Sequence, residues 1–172
     1  MRLAFARHLP LKGKALERSD ILKAVIQRVS RAGVTVEGEL VSSIGNGLLI
    51  LLGVADGDTT RDAEVLADKI ANLRIFSDSD DKMNLSLLTV NGEALVVSQF
   101  TLCANCVKGR RPDFFAAAKP DTANELYEYF CERIKTAGVE KVGKGIFGAD
   151  MKVELLNDGP VTIIIDSGDL KK

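Results

Sequence analysis

Between residues 23 and 54 the chain changes its hydrophobic rhythm three times, and each change predicts an element. Residues 23–30 set apolar Ala24, Ile26 and Val29 against polar neighbours in an imperfect alternation, the period of a strand with one face buried. Residues 33–36 and 40–44 flank Glu37-Gly38-Glu39, which predicts a hairpin. Asn46-Gly47 then turns the chain into Leu48-Leu49-Ile50-Leu51-Leu52-Gly53-Val54, an unbroken apolar run typical of a strand buried on both faces. Over 60–73 the period lengthens: Ala63, Leu66, Ile70 and Leu73 fall on one face of an amphipathic helix. Residues 94–102 return to the strand pattern and carry Ser98-Gln99-Phe100-Thr101. Thr122-Ala123-Asn124-Glu125 has the form of a capping box. It opens a second helix with Leu126, Phe130, Ile134 and Ala137 on one face and Gly138 as its stop. Residues 151–156 and 161–166 predict two late strands joined by the turn Asn157-Asp158-Gly159-Pro160. The sum is an α+β (mixed α/β) domain of about six to eight strands. Those strands are expected to be mostly antiparallel, forming a sheet or barrel-like core with two main helices.

Composition narrows the class. Hydrophobic residues make up 46% of the 172 positions, enough for one packed core, but aromatics are 5% and Trp is absent. The core is therefore expected to be built from Val, Ile, Leu and Ala. No apolar run approaches the roughly 20 residues that span a bilayer, so no membrane partner is expected. Lys+Arg total 23 against 24 for Asp+Glu. That near-neutral balance argues against a general phosphate binder, and any RNA ligand needs a local basic patch. Three cysteines, Cys103, Cys106 and Cys131, suit a reducing, cytoplasmic setting better than a disulfide framework.

Residues 1–21 differ from the 22–172 domain. Over residues 1–18, Arg2, Arg7, Lys12, Lys14 and Arg18 face one acid, Glu17. This extension fits an organelle transit segment, an upstream start or a plain tail; its scarcity of Ser weighs against the first.

The chemistry is framed by an absence. The only histidine, His8, lies in that extension, so the domain has no imidazole to serve a Ser-His-Asp or Cys-His pair. Zinc catalysis, which usually draws on His, is disfavoured with them, and neither metal nor cofactor is expected. Cys103-Ala104-Asn105-Cys106 has redox-pair spacing, but it follows a strand and leads into basic residues, so a chance pair is the better reading. Asp78, Asp80 and Asp81 lack the glycine and closing Glu of a calcium loop and read as a solvated turn. Lys108, Arg110 and Arg111 are the best basic cluster; they read equally as a solvated loop or as phosphate contacts. Ser98, Gln99 and Thr101 bring two hydroxyls and an amide to a segment that otherwise reads as core.

Taken in order, six strings carry a resemblance: Ala24-Val25-Ile26-Gln27-Arg28-Val29, Lys82-Met83-Asn84-Leu85-Ser86, residues 98–102, residues 108–114, Phe147-Gly148-Ala149-Asp150-Met151, and residues 157–162. Together, over about 22–167, the chain resembles the D-aminoacyl-tRNA deacylase (D-tyrosyl-tRNA deacylase) family. The resemblance implies a homodimer that hydrolyses the ester between a D-amino acid, or glycine mischarged on tRNA-Ala, and the 3′ end of tRNA, a chiral proofreading step in translation. It implies a cis Gly159-Pro160 bond that reaches across the dimer into the partner's pocket and leaves no room for an L side chain. It assigns Thr101, Ser98 and Gln99 to the catalytic pocket. Phe100, Gly159, Pro160, Arg28 and Met151 are assigned to substrate binding, with Arg28 orienting the Gly-Pro loop, and Lys108, Arg110 and Arg111 to tRNA contact. It also implies that the 2′-hydroxyl of the terminal adenosine assists hydrolysis, with Thr101 as covalent nucleophile the weaker alternative. A non-catalytic RNA-binding module and a thiol redox protein remain as competing readings.

Overall fold

The computed structural model describes residues 21–170. In chain order the elements are β1 (Lys23–Val36), β2 (Glu39–Ile44), β3 (Gly47–Gly53), α1 (Thr60–Ala71), β4 (Phe76–Ser77), β5 (Met83–Leu85), β6 (Glu93–Ser98), α2 (Pro120–Thr136), β7 (Val142–Lys144) and β8 (Met151–Asp166). Single 3-10 turns span Phe100–Cys103 and Ser167–Leu170. The expected 1–21 extension and its histidine lie outside the described residues, Ile21 excepted.

The frame is the long strand β1, paired on both edges. One edge meets β3 in its first half and β2 in its second; the other meets β8 along its whole length, all antiparallel. From β3 the sheet continues parallel through β6 to β7. It is thus a mixed sheet: antiparallel around β1, as the alternating segments predict, and parallel around β6. A small ribbon of β4 and β5, which the sequence pattern did not predict, stands apart. The sheet curls until its ends nearly meet. Gly143 of β7 packs so tightly on β2 that a Cβ there would run into Ser42 Oγ. The result is a nearly closed barrel.

Two apolar clusters explain the β3 sequence. Leu48, Ile50 and Leu52 join Ile26, Leu66, Ile70, Phe130 and Ile134 between the sheet and the two helices. Leu49 points the other way, into a cluster with Val29, Val34, Ile44, Leu95 and Val97 inside the curl. An alternating strand cannot serve two cores, and an unbroken apolar run can. Each fully buried Leu or Ile contributes about 1.5–3 kcal/mol.

β1 runs unbroken through the segments expected as 23–30 and 33–36, α1 ends at Ala71, and three further features differ in detail from the sequence reading. The strand expected over 94–102 stops at Ser98, because β3 ends at Gly53 and β7 at Lys144. With no neighbours left, the backbone closes short-range bonds instead, Leu102 N–H to Gln99 O (3.1 Å) and Ala104 N–H to Thr101 O (3.1 Å). The second helix begins at Pro120, not at the Thr122 box: proline has no N–H to lose at the first helical position, and Lys119 is the cap. The two late strands form one long strand, β8, with the expected turn inside it. Both halves of β8 pair with β1, Asn157 opposite Val29 and Thr162 opposite Gln27. Residues 158–161 therefore leave the ladder as an outward excursion.

The two ends of the described chain are tied to the start of α1. Leu22 N–H donates to Asp58 Oδ1 (2.7 Å), and Ser167 N–H donates to Leu22 O (2.9 Å). Ser167 Oγ donates to Asp62 Oδ1 (2.7 Å), while the other oxygen of Asp62 accepts from Thr59 N–H (3.0 Å) and Thr59 Oγ (2.8 Å).

Candidate functional site

Where β6 runs out, Gln99 N–H donates to Leu52 O at 2.7 Å, extending the parallel ladder by one bond before the 3-10 turn. That short turn carries Ser98, Gln99 and Phe100 to the edge of a cavity of about 520 Å³. Val97, Met151 and Val153 form its floor, at the open end of the inner apolar cluster. Ala117, Ala118 and Pro120 form one wall, and Phe147, Gly148, Ala149 and Asp150 another. The walls are mainly small or apolar apart from Asp150, whose carboxylate is paired with Lys152 Nζ (2.8 and 2.9 Å); the uncharged polar groups, Ser98 and Gln99, lie at the lip. Ser98 is half-buried, and its hydroxyl has no hydrogen-bond partner among the described residues.

Thr101 sits differently from its three neighbours. It is exposed, does not line the cavity, and its Oγ accepts from Gln99 Nε2 at 2.5 Å. An amide N–H cannot take a proton, so this contact orients Gln99 rather than activating Thr101. Phe100 is 58% exposed and packs edge-to-face on Phe114, centroids 5.0 Å apart.

A buried tyrosine holds the floor in place. Tyr127 Oη donates to Val96 O (2.9 Å), and Gly145 N–H donates to the same carbonyl (3.0 Å), fixing the start of the 145–150 wall against β6. Burial raises the Tyr127 phenol well above its ordinary value, and nearby Cys131 and Glu128 add to the effect. Burial likewise pushes the Cys131 thiol up to about 12, with Glu128 reinforcing it. At neutral pH Cys131 stays an inert thiol. The other two cysteines part company: Cys103 is buried with Sγ on Val54 O (3.5 Å), and Cys106 is exposed. They do not open a helix as a redox pair would.

Gly159 and Pro160 lie elsewhere. They occupy the excursion from β8, with Asp158, Gly159 and Pro160 exposed and none lining the cavity of their own chain. The Gly159-Pro160 bond is cis. Arg28, 8% exposed, reaches this loop: Nε donates to Asp158 O (3.1 Å) and pairs with Asp158 Oδ2 (3.0 Å), while a second guanidinium nitrogen donates to Ile75 O (2.6 Å). Asn157 Nδ2 donates to Arg28 O (2.9 Å) and Val161 O (3.1 Å), bracing the loop's base.

Lys108, Arg110 and Arg111 sit together at the tip of a short hairpin closed by paired bonds between Asn105 and Asp113 (2.9 and 3.0 Å). All three are exposed and outside the cavity. Of the residues singled out in the sequence, Ser98, Gln99, Phe100 and Met151 line this cavity. Sequence reasoning did not single out the walls Ala117, Ala118, Pro120 and Phe147, since small and apolar residues there look like ordinary packing. Phe147 stands beside Met151 in a string already set apart.

Among the described residues no helix is long and apolar enough to cross a membrane, and no three His, Cys, Asp or Glu side chains gather as a metal site.

Comparison with known proteins places this geometry. A family model described as D-Tyr-tRNA(Tyr) deacylase matches residues 25–166. The D-aminoacyl-tRNA deacylase of Chloroflexus aurantiacus is 59% identical over 150 residues, covering 87% of this chain and 93% of that protein. That of Geotalea daltonii is 60% identical over 146 residues, covering 85% and 97%. A solved structure described as c-Myc DNA Unwinding Element Binding Protein superposes with a TM-score of 0.79 at 45% identity, covering 84% of this chain and 97% of that one. A probable eukaryotic D-amino acid tRNA deacylase superposes at 0.71 with 22% identity, covering 84% and 98%, a likeness of fold alone.

Proposed function

Since the chain belongs to the D-Tyr-tRNA(Tyr) deacylase family, we propose that it hydrolyses the ester joining a D-amino acid to the 3′ end of tRNA. The products are the free D-amino acid and deacylated tRNA, a proofreading step of cytoplasmic translation. The observation that carries the mechanistic reading is the cavity itself: mainly apolar walls, a lip of hydroxyl and amide groups, and no imidazole among the described residues that line it.

Such a site hydrolyses by positioning. An aminoacyl ester is intrinsically labile, and holding its carbonyl against fixed donors at Ser98 and Gln99 lowers the barrier without a protein nucleophile. Water adds to the carbonyl carbon, the bond to the ribose oxygen breaks, and that oxygen takes up a proton. Among the described residues Thr101 Oγ meets the Gln99 amide and hydrogen-bonds to no base, so the neighbouring ribose 2′-hydroxyl is the group proposed to assist the proton transfers. Phe100 and Met151 would flank the amino-acid moiety, and Lys108, Arg110 and Arg111 would meet phosphates.

The excursion at Gly159-Pro160 is exposed and lines no part of its own chain's cavity, and β8 carries Leu155, Leu156 and Ile164 exposed along its length. Both features support a homodimer in which each loop enters the partner's cavity and Arg28 sets its angle. A gate of backbone atoms excludes an L side chain by collision, and it admits D residues and glycine alike.

The test is release of D-tyrosine from D-Tyr-tRNA with L-Tyr-tRNA spared, by a particle of twice the 18.6 kDa chain mass. Equal rates on the two hands would overturn the assignment. Mixing a Pro160→Ala protein with a Gln99→Ala protein should restore part of the lost activity through mixed dimers. No recovery after subunit exchange would overturn the shared site.

A further inference from the structure

Phe115 is 93% exposed, although it sits in an ordered segment pinned at both ends. The backbone explains its direction. Ala117 N–H donates to Phe114 O (3.0 Å), closing a turn, and the limb beyond is fastened by Asp56 N–H to Ala116 O (2.9 Å) and Ala118 N–H to Val54 O (3.0 Å). Phe114 folds inward onto Phe100, while Phe115 stands at the corner of the turn, in solvent. Two residues further on, Ala117 and Ala118 are cavity wall.

One exposed Phe is ordinary. This one belongs to a segment, 104–119, that carries Lys108, Arg110, Arg111 and Lys119 against a single acid, Asp113. Among the described residues none of the four cations forms an ion pair. Cations free of ion pairs, in one segment with an exposed aromatic two residues from a cavity wall, are the combination that holds single-stranded nucleic acid: the cations draw phosphates, and every base offers a face for stacking.

We infer that Phe115 is a stacking platform for the unpaired base immediately 5′ of the terminal nucleotide of the substrate RNA. The inference rests on the deacylase reading and adds a residue and a nucleotide to it. The placement follows from reach. Two residues cover at most about 7 Å of chain, so a base on Phe115 stays next to a terminal nucleotide in the cavity. Stacking of this kind is tolerant of sequence, which suits an enzyme that must accept many tRNAs.

The experiment compares D-tyrosyl-tRNA with the D-tyrosyl ester of adenosine alone, which lacks the stacked base. For Phe115→Ala the ratio of kcat/KM for the tRNA over that for the adenosine ester should fall on the order of tenfold, through KM, and Phe115→Trp should hold it near the parent value. The chain has no Trp, so Phe115→Trp also supplies the only indole signal, which should be quenched by an RNA stem with an unpaired 3′ end and not by the same stem blunt-ended. An unchanged ratio, an unquenched indole, or a changed particle mass for Phe115→Ala, the mark of a protein contact, would each overturn the platform. A parent protein that releases no D-tyrosine would fell the deacylase reading and the platform together; an active parent with an unchanged ratio fells the platform alone.

Discussion

Arg28 shows how one side chain serves both stability and geometry. Its guanidinium satisfies the buried Ile75 carbonyl and holds Asp158 by backbone and carboxylate. Arg28→Ala should cost roughly 2 kcal/mol in denaturant unfolding, because a buried carbonyl is left without a donor. Arg28→Lys carries the charge but not the fork, so it should recover much of the stability and less of the activity. Equal recovery of both would show that Arg28 does not orient the loop. Gly159 makes a separate case. Its φ of +150° disfavours side chains, and a Cβ would run into the backbone nitrogen of Val161. Gly159→Ala should therefore abolish D-Tyr-tRNA hydrolysis while far-UV circular dichroism and particle mass stay those of the parent. Retained activity would remove the loop from the site.

The elements can be ranked by how plainly the chain declares them. α1 was legible because its apolar face keeps the helical period; the structure adds a capping box, Asp62 three residues after Thr59, that the sequence reading had not singled out. Asp62 is buried and accepts from Thr59 N–H, Thr59 Oγ and Ser167 Oγ. Asp62→Ala should cost about 2–3 kcal/mol. Thr122 offers the contrast. Its capping-box motif lies inside α2, past the proline that starts the helix, and Thr122 is exposed. Thr122→Ala should change stability by less than about 0.5 kcal/mol, against about 1 kcal/mol for a true cap. Thermal melts of the two variants check both values. The turn in β8 was legible but its pairing was not: a Gly-Pro turn between two strands reads the same whether the strands fold onto each other or share a third partner, and only the long-range pairing with β1 decides.

At the scale of the molecule, apolar patterning predicted the strands around β1 and both helices, since each has its own period. It did not predict that β3, β6 and β7 run parallel or that β7 meets β2, because those are contacts between segments far apart in sequence. The cavity was hidden for the same reason, being assembled from three separate stretches. Burial has one consequence for the whole fold. Cys131 and Tyr127 both hold their protons to higher pH when folded than in the unfolded chain. The folded state therefore binds more protons above the ordinary thiol value, so stability is fully present below about pH 9. It should then fall as pH rises towards 12, by up to about 1.4 kcal/mol per pH unit for each group. Unfolding in urea from pH 8 to 11 under reducing conditions measures this, and Cys131→Ala should flatten the slope; a flat profile in the parent would refute it.

The joint at Leu22, Asp58 and Ser167 has a mechanical meaning. It brings the two ends of the described chain together at one corner, where Lys23 faces Asp166 and β1 and β8 run away antiparallel. A pull applied at those two ends loads the ladder bonds one after another, as a zipper opens, instead of shearing them all at once. The barrel should therefore yield at low force from that corner, and it should resist much longer when gripped across β3 and β6, whose parallel pairing spreads the load.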